Sequence, residues 1–216
     1  RRGLSEIVAL DARRVFVPMN EPFAIAGGSS AVLETVFTRL TLADGTVGHG
    51  EASPFPAFNG ETAAKSERQI HNAGKRWLGQ DASAWRTRLE ELETALPKHG
   101  GAARAALGVA LLDAWTRRAG LPLRTLFGGA ADRVVSDVTV TLGDADAAYA
   151  AARRIRALGV RVIKIKVGYS AREDAARVAA VARAHPRASL TLDANQGYGP
   201  SHSLALVRLL RARGIR

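Results

Sequence analysis

Apolar and polar positions largely alternate along "VLETVFTRLTLADGTVGHGE", which reaches a turn at Asp44-Gly45. Residues 4–17 and 32–42 read as strands. Between them "PMNEPFAIAGGSS" is rich in Pro, Gly and Ser and reads as a loop, and "GEASPFPAFNGET" reads as a second one. Three stretches with helical spacing follow, near 61–78, 82–96 and 101–119. The last closes on Gly120, with Pro122 just beyond, and "LPLRTLFGG" reads as a connector.

From about residue 134 the rhythm becomes strand, helix, strand, helix. The strands are "VTVTL" (138–142), "VIKIKV" (162–167) and "LTLDA" (190–194), and Ala-rich helices lie near 145–158 and 171–185. A third helix starts after Gly199, with Pro200 in its first turn, and stops at Gly214. Corresponding strand positions recur after 25 residues (Thr139 to Lys164) and 29 residues (Lys164 to Asp193). That spacing predicts parallel strands joined by right-handed crossovers, in a (β/α)8 barrel or an open doubly wound sheet.

The two faces of each strand separate these architectures. Thr139 and Thr141 share one face of the first strand, Lys164 and Lys166 one face of the second, and Thr191, Asp193 and Asn195 one face of the third. The opposite faces are apolar throughout. Both faces of an open sheet pack on helices and should be apolar. A barrel turns one face to its lumen, whose C-terminal end carries the chemistry. The expected architecture is therefore an α+β domain, residues 1–133, followed by a partial (β/α) barrel, residues 134–216, of TIM type.

Composition narrows the chemistry. The 216-residue chain is 47% hydrophobic, contains no cysteine, and so excludes disulfides, thiolate metal sites and a cysteine nucleophile. That usage fits a cytoplasmic protein. No apolar run reaches the roughly 18 residues of a membrane helix, and the N-terminus lacks a signal-peptide pattern. The formal charge of +11 raises the possibility of a polyanion partner. The arginines are scattered, however (Arg68, Arg76, Arg88, Arg117, Arg153, Arg177, Arg208), and aromatics are only 6% of the chain. Solvated helix faces explain that pattern better than a nucleic-acid surface. No dinucleotide fingerprint or phosphate loop is present, and the pair Gly27-Gly28 precedes a strand rather than a helix.

The candidate chemistry lies on "RVIKIKVG" and "LTLDANQGY". Asp193 is a hard oxygen ligand of the kind that holds Mg²⁺. Such an ion stabilises the enediolate formed when a proton leaves the carbon beside a carboxylate. Lys166 would remove that proton, with its pKa lowered by a second lysine and the cation, while Lys164 would support the charge and grip the carboxylate. Taken singly, each part has a plainer reading: a lysine pair can mark a solvated edge, and an aspartate ending a strand can cap a helix or shape a turn. On consecutive units and one shared face, the plainer readings lose ground.

These residues resemble a known family. "IKIKVG" followed by "LTLDANQGY" is similar to the mandelate racemase/muconate lactonising branch of the enolase superfamily. "PFAIAGGSS", "LTLADGTVGHGEASPFPAFNGET", "AARAALGVALLDAWTRRAGLPLRTLFGG" and "SDVTVTL" resemble its dipeptide epimerases of the Ala-Glu type. The resemblance implies an α+β capping domain over a modified (β/α) barrel, a Mg²⁺ cofactor and 1,1-proton transfer on a small carboxylate, here a dipeptide. By position it makes Lys166 the acid/base lysine on one substrate face, Lys164 a contact to the substrate carboxylate, Thr139 a further substrate contact and Asp193 a metal ligand. Asn195 would stand behind the metal site as an outer contact. Loops around Phe23–Ser29 and Ser53–Asn59 would cap the site.

The family's fourth strand carries a Glu-Gln-Pro motif, its fifth a further acidic ligand, its sixth a lysine for the opposite face, and its eighth an acidic motif for the dipeptide's amino group. Arg216 falls where the fourth strand would begin. The resemblance therefore implies the N-terminal portion of an epimerase, expected to be inactive on its own. A sister activity (cycloisomerase, acid-sugar dehydratase or o-succinylbenzoate synthase) stays open, as do a non-catalytic basic fragment and a homo-oligomer. Neither nucleic acid nor membrane is an expected partner.

Overall fold

The computed structural model describes residues 3–25, 28–96, 100–129, 131 and 133–215. Gly27 of the glycine pair lies outside the described residues, and Gly28 opens a strand. The contacts divide the chain into two compact units, Arg1–Pro18 with Val32–Ala131 and Met19–Ala31 with Asp132–Arg216.

β1 (Ile7–Ile25), β2 (Gly28–Leu42) and β3 (Val47–Ala52) form a sheet in that order, with β3 and most of β1 and β2 in the first unit and Met19–Ile25 and Gly28–Ala31 grouped with the second. β2 and β3 pair antiparallel from Val36↔Ala52 to Thr41↔Val47, around the expected turn at Asp44-Gly45. The long β1 and β2 correct the expected loop at residues 18–30, most of which is extended strand. Pro18 and Pro22 favour a loop in the sequence because proline gives no ladder hydrogen bond. β1 lies at the sheet edge, and an edge strand tolerates proline on its open side. Four short or regular helical segments follow: α1 (Pro56–Asn59), α2 (Ala63–Gly74), α3 (Trp85–Ala95) and α4 (Gly101–Arg118), with 3₁₀ turns at Lys75–Trp77 and Ala82–Ala84. α1 lies inside the second expected loop, and α5 (Leu123–Leu126) lies inside the expected connector.

The core of this unit gathers Ile7, Val36, Leu40, Ile70, Trp77, Leu107 and Leu111. α4 rests directly on β3 because Gly48 and Gly50 have no Cβ. One added at Gly48 would fall 2.1 Å from the Ala110 carbonyl oxygen, and one at Gly50 would fall 2.0 Å from that of Ala106. Buried Glu61 anchors the helix, accepting from the Gly101 and Ala102 amides at 2.8 and 3.0 Å. A carboxylate there answers both the unpaired first-turn donors and the positive end of the helix dipole.

The second unit is a run of three βα pairs: β4 (Val138–Val140), α6 (Ala145–Ala157), β5 (Val162–Lys166), α7 (Ala171–Ala184), β6 (Ser189–Asp193) and α8 (Pro200–Ala212). The strands are parallel in the order β4-β5-β6. Asp144 and Ser170 cap α6 and α7 by accepting from Ala147 and Glu173 amides. Pro200 opens α8 as expected. Val140, Ile163, Ile165 and Val167 pack with Ala152, Ile155, Val178, Val181, Leu206 and Leu210 in one apolar cluster. Burial of this face leaves the alternate residues of each strand to the other face. Among the described residues no helix is long and apolar enough to cross a membrane.

Candidate functional site

Strand register assembles the polar face. Thr139, Lys164 and Thr191 form one rung across β4, β5 and β6, and Lys166 pairs with Asp193 on the next. Neighbouring strands run about 4.8 Å apart, which brings long side chains on adjacent rungs within reach.

Asp193 is the junction. Its Oδ2 accepts from Lys166 Nζ at 2.8 Å and from Lys164 Nζ at 2.9 Å. Its Oδ1 accepts from the Asn195 amide at 2.9 Å. The Asn195 side chain turns back, and its Oδ1 accepts from Lys166 Nζ at 2.6 Å. The two lysines differ in setting: the Lys166 side chain is 6% exposed and that of Lys164 is 32% exposed. The structure thus relieves the repulsion that two neighbouring ammonium groups would suffer by placing one carboxylate between them. Hydrogen bonds from Lys166 and Lys164, then from the Asn195 amide, hold the Asp193 carboxyl well below the usual carboxylate range. The hydrogen bond to Asp193 and its negative charge raise the Lys164 ammonium above its ordinary value.

The loop after β6 is bent to make this possible. Asn195 and Gln196 both have positive φ, 44° and 65°. Asparagine tolerates that region, while glutamine does so at a cost of about 1 kcal/mol or more. The Asp193–Asn195 hydrogen bond closes the turn locally. Phe23, from the part of β1 grouped with this unit, stands over Lys166 with its ring centroid 5.9 Å from Nζ. The negative ring face favours a cation there.

A second cluster lies outside the expected site residues. Asp174 and Arg177, on the first turns of α7, are 1% and 3% exposed and form an ion pair. Arg177 is expected among the solvated helix arginines, and its burial corrects this. Its Nη2 donates to the Lys166 carbonyl at 2.6 Å, and its Nη1 reaches the Thr141 carbonyl at 3.4 Å. Asp174 Oδ2 accepts from the Gly168 amide at 2.8 Å and from the Tyr198 hydroxyl. Burial, then the Asp174 carboxylate, pushes the Tyr198 phenol far above its usual range, so it stays a donor. A signal was present: Asp174, Val178 and Val181 repeat at i, i+4 and i+7, which puts a charge on the apolar stripe.

As a metal site, the face supplies a partial set. Asp193 is a hard oxygen donor suited to Mg²⁺. Among the described residues no group of three or more His, Cys, Asp or Glu side chains converges on one point. Asp193 therefore fits as one ligand of such an ion, not as a complete site.

The chain is similar to known proteins over nearly its whole length. The family model for the mandelate racemase / muconate lactonizing enzyme N-terminal domain matches residues 9–128, and that for the enolase C-terminal domain-like region matches 146–216. An aromatic dipeptide epimerase of Herpetosiphon aurantiacus is 40% identical over 210 residues, covering 97% of this chain and 59% of the relative. A solved mandelate racemase/muconate lactonizing protein from the same organism superposes with a TM-score of 0.92 at 39% identity, covering 98% of this chain and 59% of the other. A dipeptide epimerase from Enterococcus faecalis V583, solved with Mg and the dipeptide L-Leu-L-Tyr, gives 0.91 at 28% identity, with 97% and 59% covered. The chain spans somewhat under two thirds of the length of these relatives.

Proposed function

The chain belongs to the mandelate racemase / muconate lactonizing enzyme family, and from that premise we propose that it forms part of a Mg²⁺-dependent dipeptide epimerase. Residues 1–133 would be its capping domain and 134–216 the first three units of its (β/α) barrel. The observation that carries the reading is the Lys164–Asp193–Lys166 junction, with Asn195 on Lys166. It stands in a chain whose relatives are dipeptide epimerases.

Lys166 is the proton carrier. Its side chain is largely buried, its amine lies on the polar face, and Asn195 and Asp193 fix its direction. In its neutral form it takes the proton from the α-carbon next to the substrate carboxylate, and in its charged form it returns one. Lys164, more exposed and held cationic by Asp193, meets the carboxylate oxygens and stabilises the charge that develops on them. Thr139, on the rung beside Lys164, offers a hydroxyl to the same substrate. Asp193 would be one ligand of Mg²⁺, with Asn195 behind it, and the ion when bound would supply Lewis-acid stabilisation of the enediolate. Phe23 covers Lys166 from above and would help shut out water.

Epimerisation needs a proton donor on each face of the α-carbon. Lys166 serves one face, so the 216 residues by themselves are expected to be inactive. The test is α-proton exchange in D₂O, followed by NMR, with protein expressed from the whole reading frame and a panel of dipeptides. Exchange that is lost in Lys166→Ala supports the assignment. If no dipeptide exchanges while another carboxylate does, the epimerase assignment fails in favour of a sister activity.

A further inference from the structure

We propose that Asp174, Arg177 and Tyr198 are positioning residues for Lys166. Together they fix the backbone of the lysine from behind and tie it to the loop that carries Asn195. The role of Lys166 in proton transfer rests on the function proposed above, but its placement by this cluster does not.

The β4–β5 ladder ends at Val140↔Ile165, one residue short of Lys166. Past that point Arg177 takes over. It donates to the Lys166 carbonyl at 2.6 Å and reaches the Thr141 carbonyl at 3.4 Å, so one guanidinium spans the ends of both strands. Its planar fork suits that double duty as a lysine ammonium would not. Asp174 neutralises Arg177 and extends the network in two directions, to the Gly168 amide at the end of β5 and to the Tyr198 hydroxyl beyond β6. Tyr198 lies three residues after Asn195, across the strained Asn195-Gln196 turn. All three βα units that bear the polar face thus meet at one buried ion pair.

Stability alone is a poor reason for such a pair, because burying two charges costs about as much as their attraction returns. What it adds is direction. Each of its hydrogen bonds ends on a strand-terminal atom or on the loop of the site. A displacement of about 1 Å at a reacting group can cost on the order of a hundredfold in rate, so fixing the root of Lys166 has a chemical consequence.

The experiment compares Lys166 with Lys164 inside one folded chain. The protein is pulsed with an amine-acylating reagent at fixed pH, and mass spectrometry reads modification at each lysine. In the parent chain Lys166 labels more slowly than Lys164. Tyr198→Phe keeps the Asp174–Arg177 pair, so the fold survives. The expected result is a Lys166-to-Lys164 ratio raised about threefold to tenfold, from loss of one charge-assisted hydrogen bond, with little change in melting temperature. Arg177→Lys retains the charge without the fork, and should raise the ratio at least as much. In protein from the whole reading frame, Tyr198→Phe should lower kcat for α-proton exchange about tenfold and leave KM within about twofold. An unchanged ratio in both variants overturns the proposal. So does parallel acceleration of both lysines with a fall in melting temperature, which marks a merely structural role. An unchanged kcat in an otherwise active protein overturns it too. If the parent protein exchanges no dipeptide, the functional assignment fails while the labelling ratio still decides the positioning role.

Discussion

The two sheets use the same alternation for different ends. In the antiparallel unit, β2 buries Val36, Leu40 and Leu42 and exposes Phe37 and Arg39, while β3 buries Gly48, Gly50 and Ala52. Its cross-strand partners on the open face, such as Arg39↔His49, lie in solvent, where charge pairs contribute little. In the parallel unit, β5 buries Ile163 and Ile165 fully on one side and carries Lys164 and Lys166 on the other. There, register and partial enclosure bring opposite charges within 3 Å. An alternating strand therefore says which residues share a face. Whether that face is a wall or a site depends on what the neighbouring strand brings to it.

Five substitutions would break or sharpen this contrast. The largest effect belongs to the polar face of β5. Lys166→Ala, in protein from the whole reading frame, should lower α-proton exchange about 10³-fold or more, within the usual span of a lost general base. Lys164→Ala should act more on KM, and a D₂O exchange assay separates the two. Next comes the packed face of β3. Gly50→Val would drive a side chain into the Ala106 carbonyl and the Ala110 amide of α4. A loss of about 3 kcal/mol or more is expected, read by denaturant unfolding, with the Lys166-to-Lys164 labelling ratio unchanged.

Asp193→Asn should be smaller, a loss of about 2 kcal/mol near neutral pH from leaving two ammonium groups without their shared carboxylate. Its pH dependence is distinctive. The folded carboxyl titrates below its unfolded value, so its contribution is complete above the unfolded pKa of about 3.9 and is lost as pH falls through the folded one. The raised Lys164 contributes fully below its unfolded value and loses its share as pH rises through the folded one. The difference in melting temperature between parent and variant should thus be flat across mid pH and shrink at both acid and alkaline ends. A gap that widens in acid would contradict the assignment. The smallest effect is expected at Ser170→Ala, which removes the cap of α7 and should cost about 1 kcal/mol, seen by thermal unfolding.

Much of the parallel unit was legible from the chain. Its three strands and three helices lie where the period changes, and its helix stop at Gly214 has positive φ, as does the stop at Gly120 in the other unit. The shared face of Lys164, Lys166 and Asp193 follows from strand period alone. The extension of β1 through residue 25 and the start of β2 at residue 28 were not legible, since Pro and Gly mark loops except at a sheet edge. Arg177 was not either. An arginine on a helix is ordinarily solvated, and only Asp174 beside it, on the apolar stripe, hinted otherwise.

By itself the sequence determined which residues face which way, because side-chain direction in strands and helices is a local property of the backbone. It also determined the chemical types on offer: two ammonium groups, one carboxylate and no thiol. The tertiary structure alone decided that Lys166 is enclosed while Lys164 stays open, that Asp193 bridges both, and that Arg177 holds a carbonyl at the strand end. Burial and hydrogen-bond partners are sums over neighbours distant in sequence, and no local period encodes them.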